Sequence, residues 1–136
     1  MSRLVAIDYG RKRTGLAATD PLQLIASPLD TVATPQLIDY LKKYDTTEGI
    51  AAFVVGMPRK LDNTDTNVTA DVRAFVKRLS QHFPGKSIHL HDERFTSKLA
   101  MDAMISGGMK KKDRQKKENV DKVSAAIILQ SYMETR

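Results

Sequence analysis

An apolar run near the N-terminus leads directly into a carboxylate, and this feature constrains the fold more than any other. The run Val5–Ile7 precedes Asp8, and Gly10 and three basic residues follow. A carboxylate that leaves an apolar strand is costly to bury unless it is hydrogen-bonded, ion-paired or bound to a cation. The basic turn beside it indicates a ligand that carries phosphate. The acid and the turn together favour phosphodiester chemistry.

The composition is that of one soluble domain, which we expect to span 1–136. Of the 136 residues, 41% are hydrophobic, which is ordinary for a globular chain. The absence of cysteine excludes a disulfide framework and thiolate metal sites. No apolar run approaches the roughly 18 residues of a membrane span, and the N-terminus lacks the pattern of a signal peptide. We therefore expect a cytoplasmic protein without membrane association.

The charge is basic and clustered, which favours a polyanionic partner. The formal net charge is +6 and the isoelectric point is about 9.6. Charge alone is equally typical of a merely basic soluble protein, so the clustering carries the argument. The clusters are Arg11, Lys12 and Arg13 near the N-terminus, and Lys110, Lys111, Lys112, Arg114, Lys116 and Lys117 near the C-terminus.

Hydrophobic periodicity predicts an α/β chain with a mixed sheet and helices on both faces. The predicted strands are 4–9, 14–19, a weak strand at 22–32 broken by Pro28, 50–55 and 88–91. The predicted helices start at Pro35, span 68–79, follow Thr96 or Ser97, and follow a cap at Asn119. The continuous apolar run 50–55 is typical of a parallel strand covered on both faces.

Three acidic positions stand at the ends of predicted elements and can converge at one edge of the sheet. They are Asp8, the pair Asp92 and Glu93, and Asp121. Convergent carboxylates are what hard divalent cations require, and two such ions can activate water and stabilise a leaving oxygen. Each acid alone also fits a structural role, as a salt-bridge partner or a favourable charge near a helix N-terminus.

Two glycines and two histidines accompany these acids. Gly10 and Gly56 permit close approach of the backbone to a ligand, although a plain turn explains Gly56 equally well. His89 and His91 alternate with apolar residues on the last predicted strand. We expect them to form an ordinary polar face rather than to take part in catalysis.

The motifs in combination resemble those of the YqgF (RuvX) family. They are Asp8-Tyr9-Gly10 with Arg13-Thr14-Gly15-Leu16-Ala17, Val55-Gly56-Met57-Pro58, Asp92-Glu93-Arg94-Phe95-Thr96-Ser97, and Asp121 with Ala125-Ala126 and Ile128-Leu129. Members are described as Holliday junction resolvases and as nucleases that process pre-16S rRNA. The resemblance covers nearly the whole chain in the expected order.

This resemblance implies a ribonuclease H-like fold with a five-stranded mixed sheet. It assigns Asp8, Glu93 and Asp121 as catalytic acids that bind one or two Mg²⁺ or Mn²⁺ ions. Asp92 is adjacent, and the residues leave open whether it shares or replaces the role of Glu93. The resemblance places Arg11, Lys12, Arg13 and Arg94 on the phosphate backbone, and we expect the basic segment from Lys110 to Lys117 to hold flanking nucleic acid.

The leading hypothesis is a metal-dependent nuclease that matures the 5′ end of precursor 16S rRNA. A resolvase of four-way DNA junctions and a non-catalytic RNA-binding factor are the alternatives. A sugar-kinase-like phosphotransferase is disfavoured, because 136 residues leave no room for a second lobe. The resemblance makes structured precursor rRNA the partner, with the assembling small ribosomal subunit as a further one. The chain would act as a monomer or a weak homodimer.

Overall fold

A computed structural model describes residues 2–57, 67–92 and 117–135 of the chain. Its strands are β1 (Arg3–Asp8), β2 (Arg13–Thr19), β3 (Ala26–Ala33), β4 (Ile50–Met57) and β5 (Ser87–Asp92). Its α-helices are α1 (Leu37–Glu48), α2 (Asn67–His82) and α3 (Lys117–Thr135), with a 3₁₀ turn over Thr34–Gln36.

The strands form one mixed sheet in the order β3-β2-β1-β4-β5. β1, β2 and β3 are an antiparallel meander, whereas β4 and β5 run parallel to β1. The predicted five-stranded mixed sheet is therefore confirmed. Because β1 lies in the centre, it has a hydrogen-bonded neighbour on each side.

Helices cover both faces of this sheet, as the sequence predicted. On one face, α1 and α2 pack against the odd-numbered residues of β1, such as Val5 and Ile7. On the other face, α3 packs against the even-numbered residues, such as Leu4 and Ala6. From here these are called the α1/α2 face and the α3 face.

Two details of the prediction differ from the structure. Pro28 does not break the third strand, because β3 lies at the edge of the sheet and has a register shift there, where a missing N–H is tolerated. The expectation that Asn119 caps the last helix is wrong, since α3 already begins at Lys117. Lysine and glutamate at 117 and 118 are good helix formers and extend the first turn. The helix predicted after Thr96 or Ser97 lies outside the described residues.

The loop between β2 and β3 is organised by one carboxylate. Asp20 accepts hydrogen bonds from the backbone N–H groups of Leu24 and Ile25, both at 2.8 Å, and of Leu22 at 3.2 Å. Gln23 takes a positive φ of 58°, which lets the chain turn tightly. These bonds, that from Ile25 foremost, lower the pKa of Asp20. The loop thereby presents exposed apolar side chains on a fixed backbone.

Replacing Leu129 by alanine tests the packing of α3. Leu129 is fully buried on the α3 face, so Leu129→Ala should lower the free energy of unfolding by about 2–5 kcal/mol. Leu24→Ala is the matched control, because Leu24 is 69% exposed and its loss should cost less than about 0.5 kcal/mol. Urea denaturation measures both, and equal losses would contradict the assigned packing.

Acidification tests the Asp20 loop. Because the folded pKa of Asp20 is lowered, its stabilising effect is present above the unfolded pKa of about 4 and is lost as the pH falls through the folded pKa. The protection factors of the Leu24 and Ile25 amides, which are the intrinsic exchange rate divided by the observed rate at the same pH, should therefore fall at low pH in the wild-type protein. In Asp20→Ala these protection factors should be low at neutral pH as well. Unchanged protection in Asp20→Ala would show that other contacts hold the loop.

Candidate active site at the carboxyl edge of the sheet

The parallel strands bring two of the predicted acidic positions to one edge of the sheet. Ile7 of β1 pairs with Val55 of β4, and Met57 of β4 pairs with Asp92 of β5. Asp8, which follows Ile7, therefore ends β1 at nearly the level where Asp92 ends β5. One strand lies between them, so their backbones are about 10 Å apart across the sheet.

Alternation along β1 assigns Asp8 to the α3 face. Leu4 and Ala6 belong to the cluster on that face, and Asp8 follows with the same parity. The residue is half-buried, as expected where a covered strand emerges at the edge of a sheet. Its carboxylate therefore stands on the side of the sheet that α3 covers.

Helix α3 brings the third acidic position to this face. Ala125 packs in the cluster on the α3 face, and Asp121 lies one helical turn before it, on the same side of the helix. The helix contacts β1, β2, β3 and β4, and its Ser131 reaches His91 on β5. It therefore runs across the strands, and the half that carries Asp121 lies towards β1, β2 and β3.

A buried hydroxyl close to Asp121 lacks a partner. Ser124 is 2% exposed, and its Oγ makes no hydrogen bond within the part of the chain that the structure describes. A buried polar atom without a partner is costly, so a ligand that approaches this hydroxyl would be favoured. Ser124 lies three residues after Asp121, on the adjacent turn of α3. Carboxylate and hydroxyl oxygens together are a donor set that suits a hard divalent cation.

The basic turn between β1 and β2 is held rigid by a closed set of hydrogen bonds. The Gly10 N–H donates to Thr14 Oγ1 at 3.5 Å, the two hydroxyls of Thr14 and Thr34 are 3.0 Å apart, and Thr34 Oγ1 donates to the Gly10 carbonyl. The Thr34 N–H also donates to the carbonyl of Lys12 at 3.1 Å. A Cβ at Gly10 would stand 2.3 Å from the carbonyl oxygen of Arg13, so only glycine fits. The close approach at Gly10 is therefore to the backbone of its own turn, and its approach to a ligand stays a prediction.

Two contacts fasten the same turn to α2. Arg11 Nε donates to Asp71 Oδ2 at 2.5 Å, and the ring of Tyr9 stacks on that of Phe75 with centroids 4.8 Å apart. The hydrogen bond with Asp71 raises the pKa of Arg11. Arg11 is thus engaged within the protein, although 68% of its side chain is exposed. Lys12 is exposed beside it, and Arg13 is half-buried.

Gly56 on β4 and His89 and His91 on β5 lie on the opposite side of β1 from the basic turn. Gly56 is buried within β4 and pairs with His91, so it belongs to the strand rather than to the following loop. His91 Nε2 lies 2.8 Å from Ser131 Oγ of α3, and His89 lies against Tyr132 with ring centroids 5.1 Å apart. Both histidines therefore contact α3, which periodicity alone did not reveal.

Several predicted site residues lie outside the described residues. They are Glu93, Arg94, Lys110, Lys111, Lys112, Arg114 and Lys116. The backbones of Asp92, Lys117 and Asp121 are described, whereas their side chains are not. Within residues 2–57, 67–92 and 117–135 no group of three metal-ligating side chains occurs. None of the helices in these ranges is long and apolar enough to cross a membrane.

A family model described as RuvX, Holliday junction resolvase, matches residues 2–135. The chain belongs to the RuvX family. A relative from Amoebophilus asiaticus is 50% identical over 98% of this chain and 94% of its own length. One from Phocaeicola vulgatus is 49% identical over the whole chain and 98% of its own length. Both are provisionally named pre-16S rRNA nuclease. The prediction of a nuclease that hydrolyses phosphodiester bonds is confirmed at the level of the family.

Solved structures confirm the fold. RuvC of Thermus thermophilus, determined in complex with a Holliday junction substrate, superposes with a TM-score of 0.56 at 16% identity. The match covers 99% of this chain and 98% of that one. A second structure of the same RuvC gives 0.54 at 14% identity. The ribonuclease H-like architecture predicted from the resemblance to the RuvX family is therefore the observed one.

Replacing Thr34 tests the hydrogen bonds of the basic turn. Thr34→Val keeps the shape of the side chain but removes the hydroxyl that serves both Gly10 and Thr14. It should lower the free energy of unfolding by about 1–3 kcal/mol. Thr34→Ser, which keeps the hydroxyl, should cost less. Urea denaturation measures both variants, and a larger loss in Thr34→Ser would assign the effect to methyl packing instead.

Proposed function

We propose that this chain is a metal-dependent nuclease that matures the 5′ end of precursor 16S rRNA, with Asp8, Glu93 and Asp121 as the metal-binding acids. The observation that carries the proposal is the placement of Asp8 and Asp121 on one face of the sheet, the first on β1 and the second on α3. The names of the relatives support the substrate. Residues 1–136 then form a single nuclease domain.

Strand register favours Glu93 over Asp92 as the third acid. Position 92 pairs with Met57, which packs on the α1/α2 face, away from Asp8. His91, one residue earlier, contacts α3. Position 92 therefore has the strand parity of the α1/α2 face, which disfavours it as a partner of Asp8. We propose the adjacent Glu93 for that role, as the family resemblance implies.

The donor set fits Mg²⁺ or Mn²⁺, as one or two ions. Asp8, Glu93 and Asp121 would hold the metal through carboxylate oxygens, and the buried hydroxyl of Ser124, three residues after Asp121, would donate to one of these carboxylates. When bound, such an ion lowers the pKa of a coordinated water and neutralises charge on the scissile phosphate.

The basic residues would hold the phosphate backbone. Lys12 and Arg13 stand on the turn that Thr14 and Thr34 fix, and Arg11 adds an exposed charge beside them. Arg94 and the segment from Lys110 to Lys117 supply the remaining charge. Contacts of this kind bind without reading base sequence, so the shape of a structured RNA would select the substrate. That substrate would be bound to the assembling small ribosomal subunit in the cytoplasm. One active site is enough to cut a single RNA strand, so a monomer or a weak homodimer would be the active form.

A four-way DNA junction is the second candidate substrate. The matching family model is described as a Holliday junction resolvase, and RuvC was solved with a junction bound. Resolution requires two symmetric cuts and hence two active sites, so this candidate requires a dimer. A non-catalytic RNA-binding factor is the alternative in which the basic surface acts alone.

Cleavage of two substrates side by side tests these functions. A 5′-extended 16S rRNA fragment and a four-way DNA junction are incubated with Mn²⁺, Mg²⁺ or EDTA. Asp8→Asn should reduce cleavage at least 100-fold, because a metal-binding carboxylate is lost while the fold is kept. RNA binding should persist or tighten, since a negative charge has been removed. Glu93→Gln should act likewise, and Asp92→Asn is the matched control that should retain most activity.

The outcomes separate the candidates. Metal-dependent cutting of RNA that Asp8→Asn abolishes supports the proposed function. Paired symmetric nicks in the junction, with the RNA left intact, favour the resolvase. Tight RNA binding without cleavage under any metal condition favours the binding factor. Wild-type activity in Asp8→Asn would refute the assignment of the metal-binding acids. A larger loss of activity in Asp92→Asn than in Glu93→Gln would assign the role of third acid to Asp92 instead of Glu93.

A further inference from the structure

A hydrogen bond joins the end of β5 to the last turns of α3. His91 Nε2 and Ser131 Oγ are 2.8 Å apart, partly buried, and 40 residues apart in the chain. The bond therefore links two elements that no local interaction connects. Tyr132 flanks it, with its ring edge-on to His91 at a centroid distance of 6.4 Å and tilted against His89 at 5.1 Å.

His91, at one end of the bond, lies on β5 close to the candidate site. Ser131, at the other end, lies on α3, the same helix that carries Asp121. His91 pairs with Gly56 of β4, and Ile7 pairs with the preceding Val55, so His91 stands level with Asp8 at a distance of two strand spacings, about 10 Å. Ser131 follows Asp121 by ten residues, about 15 Å along one uninterrupted helix. A shift of α3 along its axis at Ser131 is therefore transmitted to Asp121.

Apolar packing alone does not fix that axial position. Ala125, Ile128 and Leu129 hold α3 against the sheet, but the side chains opposite them are mostly alanine and valine, at Ala6, Ala17, Ala52 and Val54. Burial of apolar surface is non-directional and depends weakly on small sliding movements. A hydrogen bond requires a defined distance and angle, so the contact between His91 and Ser131 selects one axial position of the helix.

We infer that His91 and Ser131 are positioning residues, whose hydrogen bond sets the separation between Asp8 at the end of β1 and Asp121 on α3 and thereby the affinity for a divalent cation. This inference rests on the proposed metal-binding role of those two acids. Neither histidine is required to touch the metal or the substrate.

Four variants of the full chain separate positioning from packing. His91→Phe keeps a ring beside Tyr132 and removes only the hydrogen bond, and Ser131→Ala removes it from the other side. His91→Gln retains a polar amide near the position of Nε2. His89→Phe is the matched control, because His89 lies on the same strand and face, contacts the same tyrosine, and makes no hydrogen bond to Ser131 in the described structure.

Mn²⁺ binding is measured by the electron paramagnetic resonance signal of the free ion, after removal of metal with EDTA and dialysis. Every variant is measured in the same buffer at about pH 8. His91→Phe and Ser131→Ala should each weaken Mn²⁺ binding about three- to tenfold, and the double variant should be no weaker than either. His91→Gln should recover most of the affinity, and His89→Phe should bind as the wild type does.

Two results overturn the inference while leaving the proposed function intact. One is wild-type Mn²⁺ affinity in His91→Phe, and the other is an equal loss in His89→Phe, which would indicate general loosening of β5. Failure of the wild-type protein itself to bind Mn²⁺ would overturn the proposed metal site and this inference with it. Calorimetric melting of each metal-free variant checks that the fold persists. Recovery of RNA cleavage by His91→Phe at high Mn²⁺ would further support a positioning role.

Discussion

The burial of β1 on every side is the constraint on which the rest of the structure depends. Its residues Leu4–Ile7 are at most 5% exposed, with α1 and α2 packed on one face and α3 on the other. Hydrogen bonds to β2 and β4 occupy both of its edges. A strand in this position can carry a carboxylate only where it leaves the sheet, because an acid further inside would lose its hydration. Asp8 stands at that point, and the parallel direction of β4 and β5 brings their ends to the same edge.

Hydrogen bonds fix the elements around this edge, whereas apolar packing holds the core together. The hydroxyls of Thr14 and Thr34 close the basic turn against the backbone of Gly10, and His91 joins Ser131 across the α3 face. Apolar packing brings the layers together but tolerates small sliding movements, whereas these bonds select one arrangement. A site that binds a metal needs such precision, because carboxylate positions that shift by a fraction of an ångström alter coordination.

Charge is distributed so that attraction for phosphate lies beside the acids. The exposed Lys12 and Arg11 stand on the turn that follows Asp8, and Asp71 orients the guanidinium of Arg11. The net charge of +6 draws a polyanion towards the surface over longer distances. Local acids then require a cation between themselves and the phosphate, which is the electrostatic reason that a metal belongs to the proposed mechanism.

The sequence by itself determined the secondary structure and the family. Apolar runs and period-two or helical spacing located the five strands. Four motifs in combination, at Asp8–Ala17, Val55–Pro58, Asp92–Ser97 and Asp121–Leu129, identified the RuvX family. Local sequence patterns wrongly predicted a strand break at Pro28 and a helix cap at Asn119. An edge strand tolerates proline, and a helix can begin before a good capping residue. Only the tertiary structure decided the face of Asp8, the burial of the Ser124 hydroxyl without a partner among the described residues, and the bond between His91 and Ser131. These depend on strand register and on contacts across as many as 40 residues, which periodicity does not encode.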